Sequence, residues 1–168
     1  MAIVYLLLGG NLGDREKMLE STVGLLTKSS GQLLASSSVY ETQPWGNEAQ
    51  PLFLNQVICL ETHLTPEGLL DETQAIESRM GRTRDGQPNQ PRVMDIDILF
   101  YDRLVLQSRR LTIPHPRLHR RAFTLVPLME IAPELIHPVL NRPIRELCLN
   151  HGDPLDVRIY RSSTQQEA

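Results

Sequence analysis

The sequence predicts an α+β fold in three layers, with helices packed on both faces of one open sheet. The N-terminal run Ile3–Leu8 is apolar throughout, which indicates a strand buried on both faces. Segments with apolar residues at helical spacing then alternate with strand-like runs, the last of which is Asp95–Tyr101. A chain of 168 residues suits one core, so we expect a single domain over 1–161 and a flexible tail at 162–168.

A glycine-rich turn and a helix follow the first strand. Gly9, Gly10 and Gly13 are predicted to turn the chain, and Asp14 can cap a helix that runs to about Lys28. Apolar and small residues repeat on the inward face of this helix, namely Met18, Leu19, Thr22, Val23 and Leu26.

Two strands and a second helix form the middle of the chain. The strand-like runs are about Gln32–Thr42 and Leu52–Thr62, and the loop Gln43–Pro51 joins them. Thr65 is a good helix cap with Pro66 at the first helical position, and the helical pattern ends at Gly81. A polar loop then leads to the strand Asp95–Tyr101.

The order strand, helix, strand, strand, helix, strand is the ferredoxin-like βαββαβ arrangement. We expect a short loop or hairpin after Tyr101, a helix over about Arg120–Ile131 and a last short helix near Ile144–Asn150. These elements would be additions at the C-terminal end of the core.

Composition excludes several classes of protein. A net charge of -3 argues against a nucleic-acid binder, since such domains carry a basic excess. The apolar run Ile3–Leu8 is too short to span a membrane and lacks the features of a signal peptide. Cys59 and Cys148 match no metal or redox spacing. We therefore expect a cytoplasmic monomer with neither nucleic-acid nor membrane partners.

Arginine dominates the basic residues. Fifteen of the 17 basic residues are arginine, and ten of these lie between Arg79 and Arg121. The guanidinium fork binds phosphate oxygens two at a time, which lysine does not do. This concentration favours local phosphate binding over a general charged surface.

Asp95 and Asp97 lie within the concentration of arginines. Residues two apart in a strand face the same side, about 6.6 Å from each other, so the two carboxylates point together while Ile96 and Ile98 point into the core. Two like charges beside apolar residues need a cation. Magnesium meets this need, as does pairing with Arg92 or other arginines, and the spacing alone leaves both open.

The loop before Asp95 is basic. Arg82, Arg84 and Arg92 can converge on a polyphosphate, and Gly86 and Pro88 are typical of a lid that closes over a nucleotide. A solvated connection is the alternative.

A second basic segment follows the strand, with Arg109, Arg110 and Arg121. His115 lies between two prolines, so it either donates to a phosphate or caps a turn. His115 and His119 have zinc-like spacing, but we discount zinc because no third soft ligand is evident.

Phe53 and Asn55 share one face of their strand. An aromatic ring followed by an amide suits a flat heterocycle with a lactam edge, and Phe123 could supply a second stacking face. A core aromatic and a turn amide explain the same residues.

Together these residues resemble one family, the 6-hydroxymethyl-7,8-dihydropterin pyrophosphokinases. The resemblance runs from about Val4 to Pro133 and rests on ordered motifs: Gly10-Asn-Leu-Gly13, Tyr40-Glu-Thr42, Phe53-x-Asn55, Gly81-Arg-x-Arg84, Pro91-Arg-x-x-Asp-Ile-Asp97, Leu111-Thr-Ile-Pro-His115, Arg121-Ala-Phe123 and Pro127-Leu. It implies transfer of pyrophosphate from ATP to the hydroxymethyl group of the pterin, with release of AMP, in folate biosynthesis.

The resemblance also implies site residues. Two magnesium ions would be held by Asp95 and Asp97, which with Arg82 and Arg92 are the expected catalytic residues. The pterin would be bound by Thr42, Gln43, Trp45, Phe53, Asn55, Asp95 and Phe123. Residues expected around ATP are Gln74, Glu77, Arg82, Arg84, Arg92, Ile98, Arg110, Thr112, His115 and Arg121.

Three positions depart from the family pattern. Pro88-Asn89 replaces a frequent Arg-Trp pair, Gln43 replaces a frequent proline, and Gly10 replaces the usual serine. Three other functions stay open: a different magnesium-dependent kinase for a heterocyclic alcohol, a non-catalytic nucleotide- or pterin-binding module, and a metal-dependent phosphodiesterase.

Overall fold

The computed structural model describes residues 1–43, 49, 51–81 and 93–162. The strands in this part of the chain are β1 (Ala2–Gly10), β2 (Gln32–Ser36), β3 (Val39–Thr42), β4 (Phe53–Thr62), β5 (Asp95–Tyr101), β6 (Leu106–Gln107), β7 (Thr112–Ile113) and β8 (Val157–Arg161). The helices are α1 (Arg15–Ser29), α2 (Pro66–Arg79), α3 (Ala122–Ile131) and α4 (Ile144–Leu149), with a 3-10 turn at Leu118–Arg120.

One antiparallel sheet forms the centre of the molecule. Its strand order is β5-β1-β4-β3-β8. Strand β2 also pairs with β4, along a different part of β4 from the part that pairs with β3. The prediction of a mixed α/β fold with a sheet and packed helices is confirmed. The short hairpin expected after Tyr101 is formed by β6 and β7.

Helices cover both faces of the sheet. Leu19 and Leu26 of α1 and Leu69 and Ile76 of α2 are buried in one apolar cluster with inward residues of β1, β4 and β5. A second cluster on the opposite face contains residues of α3 and α4, together with Leu7, Val57 and Leu99 of the sheet. The alternation of side chains along each strand therefore supplies two cores from one sheet.

Both predicted helix caps are present. The Asp14 carboxylate accepts a hydrogen bond from Lys17 N at 3.2 Å, and Thr65 Oγ1 accepts one from Gly68 N at 3.1 Å. Each bond satisfies one of the donors that a helix start leaves without an intrahelical partner. Local sequence chemistry therefore determines where α1 and α2 begin.

The prediction that Gly9 and Gly10 turn the chain is wrong. Both residues lie in β1, where Gly9 pairs with Asn55 and Gly10 pairs with Leu54 of β4. The strand extends because β4 and β5 hydrogen-bond to it from both sides as far as Gly9. Of the three glycines, Gly13 has the positive φ of 70° that a turn requires.

The prediction of one strand over Gln32–Thr42 is also wrong, since Ser37 and Ser38 separate β2 from β3. Ser37 Oγ accepts the hydrogen bond of Val57 N at 3.0 Å. Ser38 N donates to the Glu130 carboxylate of α3 instead of to the sheet. Ser37 N still donates to Val57 O at 2.8 Å, so side-chain hydrogen bonds replace only part of the ladder at this break.

The C-terminal region adds an element that the sequence pattern did not predict. Strand β8 pairs with β3 and extends the sheet on that side. Helix α3, expected from about Arg120, begins at Ala122 after the 3-10 turn. None of the helices in the described ranges has both the length and the apolar stretch needed to span a bilayer.

Candidate active site

A row of three paired residues crosses the centre of the sheet. Gly9 of β1 lies opposite Asn55 of β4 on one side and opposite Asp95 of β5 on the other. Directly opposed residues in antiparallel strands present their side chains on the same face. The backbones that carry the amide and the carboxylate are two strand spacings apart, which is about 10 Å. Because the residue between them is glycine, β1 contributes no side chain here, and the Asn55 amide extends over Gly9.

Asn55 is held in a fixed position above this gap. Its Nδ2 donates to Thr42 Oγ1 at 2.7 Å, and both side chains are almost fully buried. A Cβ added at Gly9 would lie 2.5 Å from Asn55 Oδ1. The absence of a side chain at Gly9 is therefore required for the observed position of the Asn55 amide.

Asp97 is the second carboxylate of the candidate site. It lies opposite Leu7 in the next row of the same face, so Asp95 and Asp97 point to the same side of β5. Ile96 and Ile98 are buried on the opposite side, at 5% and 4% exposure. This is the arrangement that the two-residue spacing predicted.

The face that carries the two aspartates and Asn55 is the one covered by α3. Helix α3 packs against β3 and β4. Phe123 of α3 lies against the core on this face, and the Arg121 guanidinium is 5.4 Å from the centre of its ring. Phe53 shares the face with Asn55, since the two residues are two apart in β4. One face of the sheet thus carries most of the described residues expected to bind the pterin, whereas Gln43 follows β3 and is exposed.

Glu130 joins α3 to β3 on the side of Asn55. Its carboxylate accepts from Ser38 N at 2.6 Å, from Ser38 Oγ, and from Tyr40 Oη at 3.3 Å. Burial raises the pKa of Tyr40 to about 12, and the charge of Glu130 adds to this effect. Tyr40 pairs with Asn55 in the sheet, so Glu130 holds the helix that carries Phe123 next to the strand that carries Thr42.

Several residues expected around ATP lie around the outer edge of β5. Strand β5 is the last strand of the sheet, with α2 and β7 packed against it. Glu77 of α2 is 3% exposed, and its Oε2 accepts from Ile96 N at 2.9 Å. Gln74 is partly exposed on α2, and Thr112 lies in β7. Ile98 of β5 is buried in the apolar cluster that α1 and α2 form with the sheet.

His115 reaches the same edge, since its N–H donates to Leu99 O at 3.0 Å. Its Nδ1 accepts a hydrogen bond from Arg117 N at 3.2 Å, so it caps a turn. Burial lowers the pKa of His115 to about 4, and the charges of Arg121 and Arg117 lower it further while Asp95 opposes them. The imidazole is therefore neutral at pH 7 and can donate a hydrogen bond only through Nε2.

Arg110 is the exposed cation of this edge. Its guanidinium forms an ion pair with Asp71 of α2 at 2.5 Å. Gln43 follows β3 directly and is exposed. The remaining expected site residues, Trp45, Arg82, Arg84 and Arg92, lie outside the described residues.

The carboxylate pair has the chemistry of a partial metal site. Within the described ranges, no group of three or more His, Cys, Asp or Glu side chains converges where it could hold an ion. A cation at Asp95 and Asp97 would therefore need ligands beyond the described side chains, such as substrate phosphates or water. Magnesium binds in this way, through one or two carboxylates and substrate phosphates.

Sequence reasoning missed two contributors to the site. Gly9 was assigned to a turn, and Glu130 was not singled out. The signal for Gly9 was its position two residues after Leu7 in an apolar strand that had no reason to end. No local signal identifies Glu130, because its partners lie far away in sequence.

Comparisons with known proteins identify one family. A family model described as 7,8-dihydro-6-hydroxymethylpterin-pyrophosphokinase (HPPK) matches residues 5–133. A 2-amino-4-hydroxy-6-hydroxymethyldihydropteridine pyrophosphokinase of Porphyromonas gingivalis is 44% identical over 146 residues, covering 85% of this chain and 99% of the relative. The Bacillus subtilis protein of the same name is 42% identical over 134 residues, covering 79% of this chain and 80% of the relative.

A solved structure has the same fold. The wild-type HPPK-DHPS of Plasmodium falciparum superposes with a TM-score of 0.70 at 20% identity, covering 90% of this chain and 44% of that chain. This chain thus spans less than half the length of that solved protein. Fold and site define a mixed α/β protein in which one sheet face carries a carboxylate pair and a buried amide. The chain belongs to the 7,8-dihydro-6-hydroxymethylpterin-pyrophosphokinase family.

Proposed function

We propose that the gap between Asn55 and Asp95 is the place where this chain carries out the reaction of its family. That reaction transfers pyrophosphate from ATP to the hydroxymethyl group of 6-hydroxymethyl-7,8-dihydropterin and releases AMP, in folate biosynthesis. The observation that carries the proposal is the row Asn55–Gly9–Asp95 with Asp97 beside it. It places an amide suited to a heterocycle and a carboxylate pair suited to a phosphate-bound cation on strands whose backbones are about 10 Å apart.

The pterin would lie on the α3 face of the sheet, in the gap over Gly9. Asn55 offers both a donor and an acceptor to a lactam edge, and its bond to Thr42 pre-orients it. Phe53 and Phe123 are the rings available to stack on the pterin from the strand and from the helix. Gln43 and Trp45 remain expected contacts on the loop that follows β3.

Magnesium fits the donor set of Asp95 and Asp97, and we propose that these carboxylates hold two ions together with ATP phosphates. A bound magnesium ion would offset charge on the phosphates as the transferred group changes partners. The pairing of β5 with β1 supports this role, because it fixes both carboxylates on one face.

ATP would lie along the outer edge of β5, on the side of the carboxylates away from the pterin. The expected ATP contacts at this edge come from α2, β5 and the segment up to β7. They are Gln74, Glu77, Ile98, Arg110 and Thr112. Neutral His115 can donate from Nε2, and Arg121 lies close enough to shift its pKa. The expected arginines Arg82, Arg84 and Arg92 would complete the phosphate contacts.

The chemical step needs little covalent work from the side chains. The hydroxymethyl oxygen attacks the β-phosphorus and an O–P bond forms, while the hydroxyl proton passes to solvent. The bond from that phosphorus to the oxygen bridging to the α-phosphate breaks, so AMP leaves. The protein's part is to hold the two substrates in line, which is worth roughly 7–11 kcal/mol. Arginines close to the phosphates, with Arg82 and Arg92 as the expected pair, stabilise the charge that develops there.

Four finer statements are part of the same proposal. The core is ferredoxin-like, with β2 and β3 together as its second strand, and the order β5-β1-β4-β3 supports this. Residues 1–161 form one domain, and the expected tail beyond Ser162 lies outside the described residues. The protein is a cytoplasmic monomer. Free cysteines at 59 and 148 agree with a reducing compartment.

One assay tests the proposal. ATP, magnesium and the hydroxymethyl-dihydropterin are incubated with the full chain, and spent nucleotide is separated by chromatography. We expect AMP, formed only when the pterin is present. ADP would indicate a different kinase, nucleotide or phosphodiester hydrolysis without pterin would indicate a phosphodiesterase, and tight binding without AMP would indicate a binding module.

A further inference from the structure

Arg15 makes two hydrogen bonds to the strands that carry the pterin-binding residues. It is the first residue of α1, and its Nη1 donates to Leu52 O at 2.9 Å and to Glu41 Oε2 at 3.0 Å. The side chains of Arg15 and Glu41 are 25% and 29% exposed, so this ion pair is largely shielded from water. Such a pair is screened less than an exposed surface pair.

Both partners of Arg15 are direct neighbours of proposed site residues. Glu41 precedes Thr42, and Leu52 precedes Phe53. Thr42 and Phe53 are themselves paired across β3 and β4. The guanidinium therefore ties together the two strand ends from which Thr42 and Phe53 present their side chains.

Asn11, which lies between β1 and α1, supplies a second hydrogen bond to the segment before Phe53. Asn11 Nδ2 donates to Pro51 O at 3.0 Å, and Asn11 is 2% exposed. Two successive carbonyls, those of Pro51 and Leu52, are thus held by the segment that follows Gly9 and Gly10. Fixing both peptide planes before Phe53 restricts the direction in which its side chain leaves the backbone.

The position of the Arg15 guanidinium is itself fixed from the C-terminal side. The Tyr160 ring of β8 lies 5.7 Å from Arg15 Cζ, within the range of a cation–π contact. The neighbouring Arg161 pairs with Glu16 and Glu20 of α1, which holds β8 against this helix. Arg15 therefore has a defined orientation before any substrate binds.

We infer that Arg15 is a positioning residue for the pterin half of the site. It does not touch the substrate; it sets the relative position of Thr42 and Phe53 through Glu41 and the Leu52 carbonyl. The inference rests on the proposed function, because it requires that these residues bind the pterin. Loss of the Arg15 hydrogen bonds should therefore change the affinity for the pterin alone, since the carboxylates of β5 and the ATP edge lie on the other side of β1.

Steady-state kinetics of the full chain test this role. Arg15→Met keeps much of the side-chain volume but removes both hydrogen bonds, and it should raise the KM for the pterin about tenfold, equivalent to about 1.4 kcal/mol. The kcat and the KM for ATP should stay within about twofold of the wild-type values. Arg15→Lys, which keeps the charge and one donor, should recover most of the pterin affinity.

Arg145→Met is the matched control, because Arg145 of α4 pairs with Glu134 at an exposed site and contacts neither Thr42 nor Phe53 through any hydrogen bond described for it. It should leave all three constants unchanged. Thermal melting checks that each variant is folded. If Arg15→Met does not fold, Glu41→Gln removes the ion pair without changing volume, and a smaller rise in the same KM is expected.

Two outcomes would overturn the inference. One is a wild-type pterin KM in folded Arg15→Met and in Glu41→Gln, and the other is an equal change in the constants for both substrates. Failure of the proposed function gives a different result, since the wild-type chain would then release no AMP in the presence of pterin. A merely structural role would lower the melting temperature of Arg15→Met without the selective change in pterin KM.

Discussion

Replacing Gly9 with alanine should damage the site without unfolding the protein. The new Cβ would lie 2.5 Å from Asn55 Oδ1 and 3.5 Å from Leu54 O. The first distance is too short, so the Asn55 amide must move. Because Asn55 is buried and bonded to Thr42 at 2.7 Å, it cannot move without losing that hydrogen bond.

The size of the effect follows from these contacts. Losing the bond to Thr42 costs about 1 kcal/mol, and forcing Asn55 away from its rotamer costs about 0.5–1.5 kcal/mol. A sum of about 1.5–2.5 kcal/mol corresponds to a loss of roughly 10- to 70-fold in kcat/KM for the pterin. Alanine also restricts the unfolded chain, which offsets about 0.5–1 kcal/mol of the loss in stability.

The assay is pterin-dependent AMP release at saturating ATP, with urea unfolding as the measure of stability. Gly24→Ala is the matched control, since a Cβ at this position of α1 meets nothing within 4 Å. It should leave activity unchanged and raise stability by up to about 1 kcal/mol. If Gly9→Ala retained wild-type kcat/KM for the pterin, the surface over Gly9 would not be the acceptor site.

Three further predictions concern the carboxylates and the histidine. Asp97→Ala should fold yet lose roughly 10²-fold or more in turnover, as measured by AMP release; near-normal rates would mean that the metal site is elsewhere. Glu77→Ala leaves Ile96 N without its acceptor and should lower the free energy of unfolding by about 1–3 kcal/mol in urea titrations, so an unchanged midpoint would contradict the importance of that bond. The pKa of His115 is lowered to about 4 in the folded state by burial and by nearby arginines. The unfolded state therefore binds more protons between pH 4 and 6.5, so stability should fall by roughly 2–3 kcal/mol as pH drops through this window. His115→Gln should remove that slope, and the wild-type protein should show no contribution from His115 above pH 7.

Much of the fold was predictable because its signals are local. The caps Asp14 and Thr65 were identified from sequence, and both make the expected hydrogen bonds. The two-residue spacing of Asp95 and Asp97 correctly separated the carboxylates from buried Ile96. Periods of 3.6 and 2 residues depend on nearest neighbours in the chain, so one sequence is enough to reveal them.

The errors fall where distant segments decide the conformation. The break at Ser37 exists because Val57 and Glu130 supply hydrogen-bond partners from β4 and α3. Strand β8 forms because β3 offers it an edge to pair with. Neither partner could be read from the local sequence.

The candidate site, like the fold, was predictable from the sequence only in part. Motifs in order along the chain identified the family and the aspartate pair, and the carboxylate spacing settled their common direction. The sequence did not show that Gly9 lies between Asn55 and Asp95, because that row depends on the pairing register of three strands.

By itself, the sequence determined the helices, the central strands and the family, and it predicted the residue types of the candidate site. The tertiary structure alone decided which residues meet across the sheet and what holds them there. Arg15 with Leu52 and Glu130 with Ser38 join segments separated by 37 and 92 residues. Such contacts carry no sequence period, since they arise only when the chain has folded and buried the groups that need partners.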